Sequence, residues 1–431
     1  MKNRIQNWLQ NSGEVCFTLY STFFAFAVYF CMYAYRKPFT AGKFSGSVEI
    51  PFLGSVDYKI LLIIAQVLGY TFSKFYGVKF ISETTYSTRG RKIIEFILMA
   101  HITLLLFAIT PAPYNIFFMF LNGIPLGMIW GLVFGFLEGR KTTEFMGAGL
   151  SASFIVSSGV VKTVGKILLN NNISEIWMPF IAGLLFIPVF FISVYFLKLL
   201  PPPNKADEAL KTKRLPMSKE ERHHFFIKYA VGLVPLIFLY MVLTAYRDFR
   251  DNFAREIWDA LGYAGNPEIF SISELPIGFG VLIILGALVF VKDVKNIFNL
   301  MFSIMITGAL LILGTTLLYQ SQIISPLAWM ISIGLGLYFI YVPFGCILFD
   351  NLMALLGFIG TAGFMIYVSD AFGYLGSIFL MFYKNFGQAK LPWLEFFIGF
   401  SYITGVICLL LLTFAYFYFR KNMKTGSTLI S

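Results

Sequence analysis

Charged residues are scarce in this sequence. Asp, Glu, Lys and Arg together make up 13 % of its 431 residues, whereas apolar residues make up 58 % and Phe alone occurs 50 times. A soluble protein of this length could not cover so much apolar side-chain surface, but a lipid bilayer would solvate it. The composition excludes an ordinary soluble protein and predicts a chain that crosses a membrane many times.

Cysteine and histidine are rare as well. The four cysteines lie in or beside apolar runs without Cys-x-x-Cys spacing, so we expect neither disulfides nor a cysteine metal site. The three histidines are His101, in an apolar run, and His223 and His224, in a polar loop. No Ser/His/Asp set, metal-ligand cluster or glycine-rich phosphate loop is present in the sequence. We therefore expect no enzyme activity, no cofactor and no bound metal.

The net charge of +11 would point to nucleic acid in a soluble protein. Here the basic residues lie mainly between apolar runs, where they orient helices against the cytoplasmic face of a membrane. We expect the bilayer, and not a nucleic acid, to be the partner of these charges. The basic N-terminus precedes a long apolar run without a small-residue cleavage site, which indicates an uncleaved first span.

Twelve apolar runs have the length of a transmembrane helix. They lie approximately at 16–35, 56–76, 93–111, 114–137, 147–169, 177–199, 229–246, 273–291, 296–318, 326–349, 357–380 and 393–419. The one long polar stretch, 201–228, begins with three prolines and continues with mixed charge. It predicts a cytoplasmic linker between an N-terminal six-helix half (1–200) and a C-terminal six-helix half (229–431).

Lys and Arg cluster on one side of these spans, whereas the short loops at 111–114, 170–176 and 319–325 contain none. Positive charge accumulates on the cytoplasmic side of membrane proteins. The pattern predicts that both termini are cytoplasmic and that the protein resides in the inner (plasma) membrane. We expect a monomer.

The two halves carry a weak internal repeat. Four short matches are separated by 211 to 213 residues: Ala-Tyr-Arg at 34–36 and 245–247, Val-Lys at 78–79 and 291–292, Glu138 and Asp350, and Val-Ser at 156–157 and 368–369. Each match joins span n to span n+6, which is typical of parallel repeats related by an axis along the membrane normal. Such repeats place a substrate site at the interface of the halves, near the bilayer midplane.

Arg36, followed by Lys37, ends span 1, and Arg247 ends span 7 at the equivalent position of the repeat. Ionisable residues in a membrane are expensive, so they are candidates for function. Two guanidinium groups approaching the interface from opposite sides would clamp a tetrahedral oxyanion, because Arg binds bidentately and keeps its charge. The alternative is that both side chains extend to the headgroups from helix ends.

Further ionisable groups lie within the spans. Lys74 lies in span 2, where it either faces the pocket or extends to the cytoplasmic surface. Ser158, Lys162 and Lys166 follow one another at four-residue intervals in span 5 and so share a helical face. A Lys162–Asp370 pair between spans 5 and 11 could act as a gate or a proton-linked switch, or could be a static neutral pair.

Tyrosines are numerous on the spans predicted to line the cavity. They include Tyr29, Tyr33, Tyr70, Tyr341 and Tyr374. A phenol can donate a hydrogen bond to a phosphate oxygen while its ring forms an apolar wall. Any single tyrosine could equally serve packing or the membrane interface.

Four stretches taken together carry a family resemblance. They are YFCMYAYRKPF in span 1, GYTFSKF at 69–75, Arg247 in span 7, and Tyr341 before Pro343 together with FGYLGS at 372–377. In order and spacing they resemble the organophosphate:phosphate antiporter family of the major facilitator superfamily, which includes glycerol-phosphate and hexose-phosphate transporters. The resemblance implies pocket roles for Tyr29, Tyr33, Tyr70, Lys74, Tyr341 and Tyr374, and makes Arg36 and Arg247 the phosphate-binding arginines.

The sequence also departs from that family. Ser158 stands where the family has a histidine in span 5, and Asp370 replaces a small residue. After Arg247 the chain continues as DFRDNFARE, which is far more charged than the family's segment and is interpreted as an amphipathic gate helix. The chain is thus identified as a divergent branch.

These observations favour a secondary active transporter of a small organic anion, a phosphorylated compound or inorganic phosphate, working by rocker-switch alternating access. The expected substrate-binding residues are Arg36, Arg247, Lys74, Lys37, Ser158 and the five tyrosines, and the expected gating or coupling residues are Lys162, Lys166 and Asp370. The alternative is a membrane sensor of a phosphorylated ligand with a transporter-like fold, because fold alone does not decide function.

Overall fold

The computed structural model describes residues 2–51, 54–138, 140, 142–202, 219–291, 293–357, 363–388 and 390–423. Most of them lie in α-helices. In chain order these are α1 (Lys2–Asn11), α2 (Glu14–Tyr33), α3 (Tyr58–Glu83), α4 (Tyr86–Ile109), α5 (Ile116–Phe134), α6 (Thr143–Asn170), α7 (Met178–Leu197), α8 (Lys219–Asn252), α9 (Ala254–Ala260), α10 (Ile269–Ala287), α11 (Val294–Gln320), α12 (Pro326–Cys346), α13 (Leu348–Leu355), α14 (Gly363–Phe382) and α15 (Trp393–Asn422).

Short elements connect some of these helices. Two 3-10 turns cover Pro38–Ala41 and Leu288–Phe290, and a π-helical turn covers Tyr383–Gly387. Strands β1 (Ser47–Ile50) and β2 (Gly54–Asp57) pair antiparallel between α2 and α3. These strands are not predicted from the sequence, because each has only four residues.

Ten helices within the described ranges are long and apolar enough to cross a membrane. They are α2, α4, α5, α6, α7, α8, α10, α11, α12 and α15, and each coincides with a predicted span. The chain is therefore a multi-pass membrane protein. Large apolar side chains on these helices point outward, including Phe23, Ile283 and Phe417, at 63 %, 70 % and 62 % exposure. A bilayer solvates such surfaces, whereas water would not.

Helices α3 and α14 occupy the predicted positions of spans 2 and 11 but are not among the ten. Helix α3 carries Lys59, Gln66, Ser73 and Lys74, and α14 carries Asp370 among other polar residues. Polar residues in membrane helices face protein or a water-filled cavity and not lipid.

Helix α8 is longer than span 7 was predicted to be. It begins at Lys219, within the stretch assigned to the linker, and has a kink at Tyr229 with φ −113° and ψ 16°. Residues 219–228 are therefore helical, and 203–218 of the predicted linker lie outside the described residues. The helix continues to Asn252, so that the charged residues after Arg247 begin on the same helix as Arg247 itself.

The described residues form two compact units. Unit 1 comprises those within Met1–Leu210, Phe249–Phe279 and Ile378–Phe396, and unit 2 those within Lys211–Asp248, Gly280–Ser377 and Phe397–Ser431. In unit 1, α2 packs on α6 and α7, and α5 packs on α3 and α4; in unit 2, α11 packs on α12 and α13. The α3–α5 contact is close: a Cβ at Gly69 would lie 2.0 Å from the Phe120 carbonyl oxygen, which only glycine allows.

Candidate functional site

The position of Arg36 is fixed by its backbone. Helix α2 ends at Tyr33, whose carbonyl accepts from the backbone N–H groups of Arg36 and Lys37 at 3.0 and 2.9 Å. Pro38 then prevents the helix from continuing, because it has no N–H. The Arg36 carbonyl in turn accepts from the side-chain amide of Gln66 on α3 at 3.2 Å. The end of span 1 is thereby anchored to span 2.

Five residues predicted from spans 1 and 2 lie together in unit 1, and we call them the Tyr70 cluster. They are Tyr29, Tyr33, Arg36, Tyr70 and Lys74. The Arg36 guanidinium carbon lies 4.1 Å from the Tyr70 ring centroid and 5.8 Å from that of Tyr33. The Lys74 Nζ atom lies 5.4 Å from the same Tyr70 ring, and the Tyr29 and Tyr33 rings meet edge to face at 5.7 Å.

Four members of the Tyr70 cluster are buried, with Arg36 only 6 % exposed and Tyr70 only 3 % exposed, whereas Lys74 is half-buried. Two cations on one aromatic ring gain cation–π stabilisation from its faces. Such a group can bind an oxyanion through the planar guanidinium and the ammonium while phenols donate further hydrogen bonds.

A second group in unit 1, the Asp251 cluster, surrounds a carboxylate near the end of α8. The Asp251 carboxylate forms ion pairs with Lys37 and with Lys162, whose Nζ lies 2.6 Å from Oδ1. The Ser158 hydroxyl donates to the same Oδ1, and Lys37 Nζ also donates to Asn252 Oδ1 at 2.7 Å. Lys37 and Ser158, predicted to bind substrate, thus bind Asp251.

Lys162 was expected to pair with Asp370. The carboxylate that it pairs with in this structure is Asp251, whereas Asp370 accepts from Tyr240. Lys166 lies one turn further along α6 and is buried, with 6 % exposure. Gly159, beside Ser158, lets α6 approach α10: a Cβ there would lie 2.5 Å from the Phe270 carbonyl oxygen.

The rest of the charged segment after Arg247 is also engaged in unit 1. Arg250 Nη1 lies 2.7 Å from Glu274 Oε1. Lys59 Nζ lies 2.5 Å from Glu256 Oε1 and donates to the Thr40 carbonyl at 3.0 Å. The segment interpreted as a gate helix thus continues into the short helix α9 and distributes its charges among partners on other elements.

Glu256 lies on α9, outside the membrane-spanning helices. Burial raises the pKa of its carboxyl above the ordinary value of 4.5, and the neighbouring Lys59 ammonium only partly opposes this effect. Its Oε2 atom is buried, and within the described ranges it has no hydrogen-bond partner. A carboxyl in this state is poised to take up a proton.

In unit 2, Arg247 is bound by its sequence neighbour. Asp248 Oδ1 accepts from Arg247 Nε at 3.0 Å and from Nη2 at 2.7 Å. The other carboxylate oxygen of Asp248 accepts from the Ser377 hydroxyl at 2.7 Å. Arg247 Nη1 donates to the Tyr341 hydroxyl, and the guanidinium carbon lies 4.5 Å from that ring's centroid.

The contacts of Arg247 continue to Asp370. The Tyr240 hydroxyl lies 2.7 Å from Asp370 Oδ1 and 2.8 Å from the Tyr341 hydroxyl. A phenol has one proton, so Tyr240 donates to the carboxylate and Tyr341 donates to Tyr240. We call this continuous series the Arg247 chain. Its members are Asp370, Tyr240, Tyr341, Arg247, Asp248 and Ser377.

Two of the predicted pocket residues, Tyr341 and Tyr374, also lie in unit 2. Tyr341 is part of the Arg247 chain, and Tyr374 is buried on α14 between Asp370 and Ser377, at 6 % exposure. The repeat-related arginines share one feature: each lies over a tyrosine ring within its own unit, Arg36 over Tyr70 and Arg247 over Tyr341. The clamp formed by both arginines stays a prediction.

Several charged residues form ion pairs that are not predicted from the sequence. These are Lys59, Asp248, Arg250, Asp251, Glu256 and Glu274. The available signal was charge balance: the lysines of spans 1, 2 and 5 need counter-ions, and DFRDNFARE supplies carboxylates at the end of an apolar span. The spacing of these charges along the sequence did not show which of them would form ion pairs with one another.

Comparison with known proteins now decides the family. Residues 38–422 match a family of unknown function, DUF5690. The chain belongs to this family. No curated protein matches the sequence at a significant level.

Among solved structures, the crystal structure of a D-xylose-proton symporter is similar over 94 % of this chain and 97 % of that chain, with a TM-score of 0.60 and 13 % identity. At that identity the likeness shows the fold alone. The DUF5690 chain therefore has a major-facilitator-like fold. The resemblance to organophosphate:phosphate antiporters is not confirmed by these comparisons.

Proposed function

We propose that this DUF5690 protein is a secondary active transporter of a small organic anion, and that the anion is a phosphorylated compound or inorganic phosphate. The observation that carries the proposal is the Tyr70 cluster, in which Arg36 and Lys74 lie over one buried ring. Holding two cations in a membrane helix bundle is costly unless they serve a purpose. A neutral solute would gain little from them, whereas an oxyanion would gain charge-assisted hydrogen bonds.

Each residue of the Tyr70 cluster has a distinct role in this proposal. Arg36 supplies two parallel N–H donors to a tetrahedral or planar oxyanion, and Lys74 supplies a point charge. Tyr29, Tyr33 and Tyr70 form the aromatic wall, and their hydroxyls are further donors. In unit 2, Arg247 is a second proposed anion-binding guanidinium, whose charge is balanced by Asp248 before an anion binds.

Transport requires that the anion stabilise one conformation more than another. An anion adds charge-assisted hydrogen bonds to Arg36 and Lys74, so that conformations enclosing the Tyr70 cluster become more stable when the anion is bound. The anion-bound protein therefore changes conformation more readily than the anion-free protein, and this difference produces alternating access. The D-xylose-proton symporter carries a different substrate, so the substrate class proposed for this chain rests on its own residues.

The binding experiment measures the thermal stability of the purified protein with inorganic phosphate, phosphate esters, carboxylates and neutral sugars. Phosphate compounds should raise the melting temperature, because a ligand that binds only the folded state stabilises it. Arg36→Ala and Lys74→Ala should abolish the shift, whereas Arg420→Ala, which removes an exposed cation at the end of α15, should retain it. A shift with neutral sugars alone would contradict the proposed substrate class.

A liposome experiment separates transport from ligand sensing. Purified protein is reconstituted, vesicles are loaded with the best-stabilising compound, and uptake of the labelled compound from outside is followed. A transporter gives uptake well above that of empty vesicles, and Arg36→Ala removes it. Stabilisation without any flux would favour the sensor.

A further inference from the structure

The existing hydrogen bonds of Arg247 conflict with binding of an anion at its guanidinium. Asp248 occupies two of the nitrogen atoms of Arg247, and Tyr341 accepts from a third. Asp248 and Arg247 are nearly buried, with 4 % and 15 % of their side-chain surfaces exposed. An anion placed on this guanidinium would share it with an ionised carboxylate.

Two like charges on one buried guanidinium oppose each other strongly, since the low local dielectric constant does not screen them. When two acidic groups share a site in this way, one of them tends to bind a proton. A phosphate group and Asp248 would form such a pair. Asp248 must therefore either move away from Arg247 while still ionised or be neutralised by a proton.

We infer that binding of an anion at Arg247 is coupled to protonation of Asp248, so that the protein moves a proton together with its anion. The inference rests on the proposed function, because it concerns how that anion is bound. It adds to that proposal that the coupling ion is a proton and that Asp248 carries it.

In the proposed step the proton comes from the solution that supplies the anion. A proton adds to an Asp248 carboxylate oxygen, the ion pair with Arg247 breaks, and Nε and Nη2 then donate to the anion. The Ser377 hydroxyl remains hydrogen-bonded to Asp248. When the anion leaves, the proton leaves too and the Arg247–Asp248 pair re-forms, so that one proton crosses with each anion.

Other titratable and charged groups near Asp248 do not compete for this role. On α14 the nearby groups are Ser377, Tyr374 and Asp370, and on α12 the group is Tyr341. Asp370 is separated from Arg247 by two phenols. On α8 itself, Tyr240 bonds Asp370, while Arg250 pairs with Glu274 and Asp251 pairs with Lys37 and Lys162. Among the described residues, Asp248 is the carboxylate that directly contacts the Arg247 guanidinium.

The test is calorimetric titration of the purified protein with inorganic phosphate, repeated in two buffers of different ionisation enthalpy. The difference between the buffers gives the protons taken up per phosphate bound. Phosphate itself also exchanges protons in this experiment, but this contribution is the same for the wild type and every variant. The wild type should take up about one proton more than Asp248→Asn.

The dissociation constant gives the same information through its pH dependence. From pH 6 to 8 the wild type should lose affinity relative to Asp248→Asn, by up to about tenfold per pH unit, because one more proton is bound in the complex. Equal proton uptake and parallel pH dependence in the two proteins would overturn the inference. Extra uptake lost in Asp370→Asn and kept in Asp248→Asn would also overturn it.

Asp248→Asn removes the counter-ion of a buried arginine and could therefore impair folding. Ser377→Ala keeps both charges and removes only the donor to ionised Asp248, which makes the neutral carboxyl easier to form. Phosphate binding by Ser377→Ala should therefore persist to higher pH than in the wild type, and an unchanged profile would contradict the inference. Absence of any phosphate binding by the wild type would contradict the proposed function as well.

Discussion

Lys162 and Asp251 form a buried ion pair, with 2.6 Å between Nζ and Oδ1. Asp251 also pairs with Lys37 and accepts from Ser158. One carboxylate thus satisfies three groups from α6 and from the end of span 1. Removing one member of such a buried group is far more damaging than replacing a whole pair by apolar residues, because the remaining charge has no counter-ion.

The first prediction concerns Asp251→Asn. It should lower the free energy of unfolding by about 3–5 kcal/mol, since Lys37 and Lys162 keep their charges in a buried setting. The melting temperature of the purified protein in detergent is the measurement. Asp251→Asn combined with Lys162→Met should recover part of the loss, and a double variant no more stable than Asp251→Asn would contradict this account.

The second prediction concerns pH and Glu256. Its pKa is raised by burial, so the folded protein holds a proton that the unfolded chain has already released above pH 4.5. The stability that this proton confers is present at low pH and is lost as the pH rises through the folded-state pKa. The melting temperature of the wild type relative to Glu256→Gln should therefore fall as the pH rises from 4.5 toward neutrality.

Glu268→Gln provides the matched control, because Glu268 is an exposed carboxyl in the loop before α10. Its melting temperature should follow that of the wild type across the pH range. If Glu256→Gln also follows the wild type at every pH, the Lys59–Glu256 pair does not titrate as proposed.

The third prediction compares Arg36→Lys with Arg36→Ala. Lysine keeps the positive charge but loses the planar guanidinium that stacks on Tyr70 and binds bidentately. Phosphate affinity should fall about tenfold in Arg36→Lys, consistent with the loss of about 1–2 kcal/mol of stacking and bidentate geometry. It should fall further in Arg36→Ala, and equal affinities for Arg36→Lys and the wild type would mean that only the charge matters.

The fourth prediction concerns the two phenols of the Arg247 chain. Tyr240→Phe and Tyr341→Phe each remove the hydroxyl–hydroxyl bond of 2.8 Å while leaving the stacked rings in place. Each should cost about 1–2 kcal/mol of stability as buried partners lose a hydrogen bond. The double variant should cost less than the sum, because both single changes break the same bond. If the two stability losses are strictly additive in denaturation measurements, the hydrogen bond between Tyr240 and Tyr341 is contradicted.

Much of the fold could be predicted from the sequence. Long apolar runs flanked by Lys and Arg predicted the ten helices that are long and apolar enough to cross a membrane, because in lipid the backbone must satisfy its own hydrogen bonds. The twelve-helix arrangement in two halves stays a prediction. The β1–β2 hairpin was missed, since four-residue strands carry no periodic signal long enough to recognise. The start of α8 was missed because its first turns are as charged as a linker.

The candidate site was predicted in part. The Tyr70 cluster followed from ionisable and aromatic residues on adjacent spans, and the structure brings those residues together. The ion-pair partner of Lys162 could not be predicted from the sequence. Asp251 and Asp370 are both carboxylates on later spans, and only packing distinguishes them. Likewise, Asp248 adjoins Arg247 in sequence, but residues next to each other on a helix ordinarily point apart, so their pairing could not be expected.

The most direct test of the central claim is uptake of labelled inorganic phosphate into proteoliposomes loaded with unlabelled phosphate. The account predicts rapid exchange with the wild type and with Arg420→Ala, and none above empty vesicles with Arg36→Ala. Exchange that Arg36→Ala retains, or its absence with the wild type for phosphate and phosphate esters alike, would show that the Tyr70 cluster does not bind the transported solute.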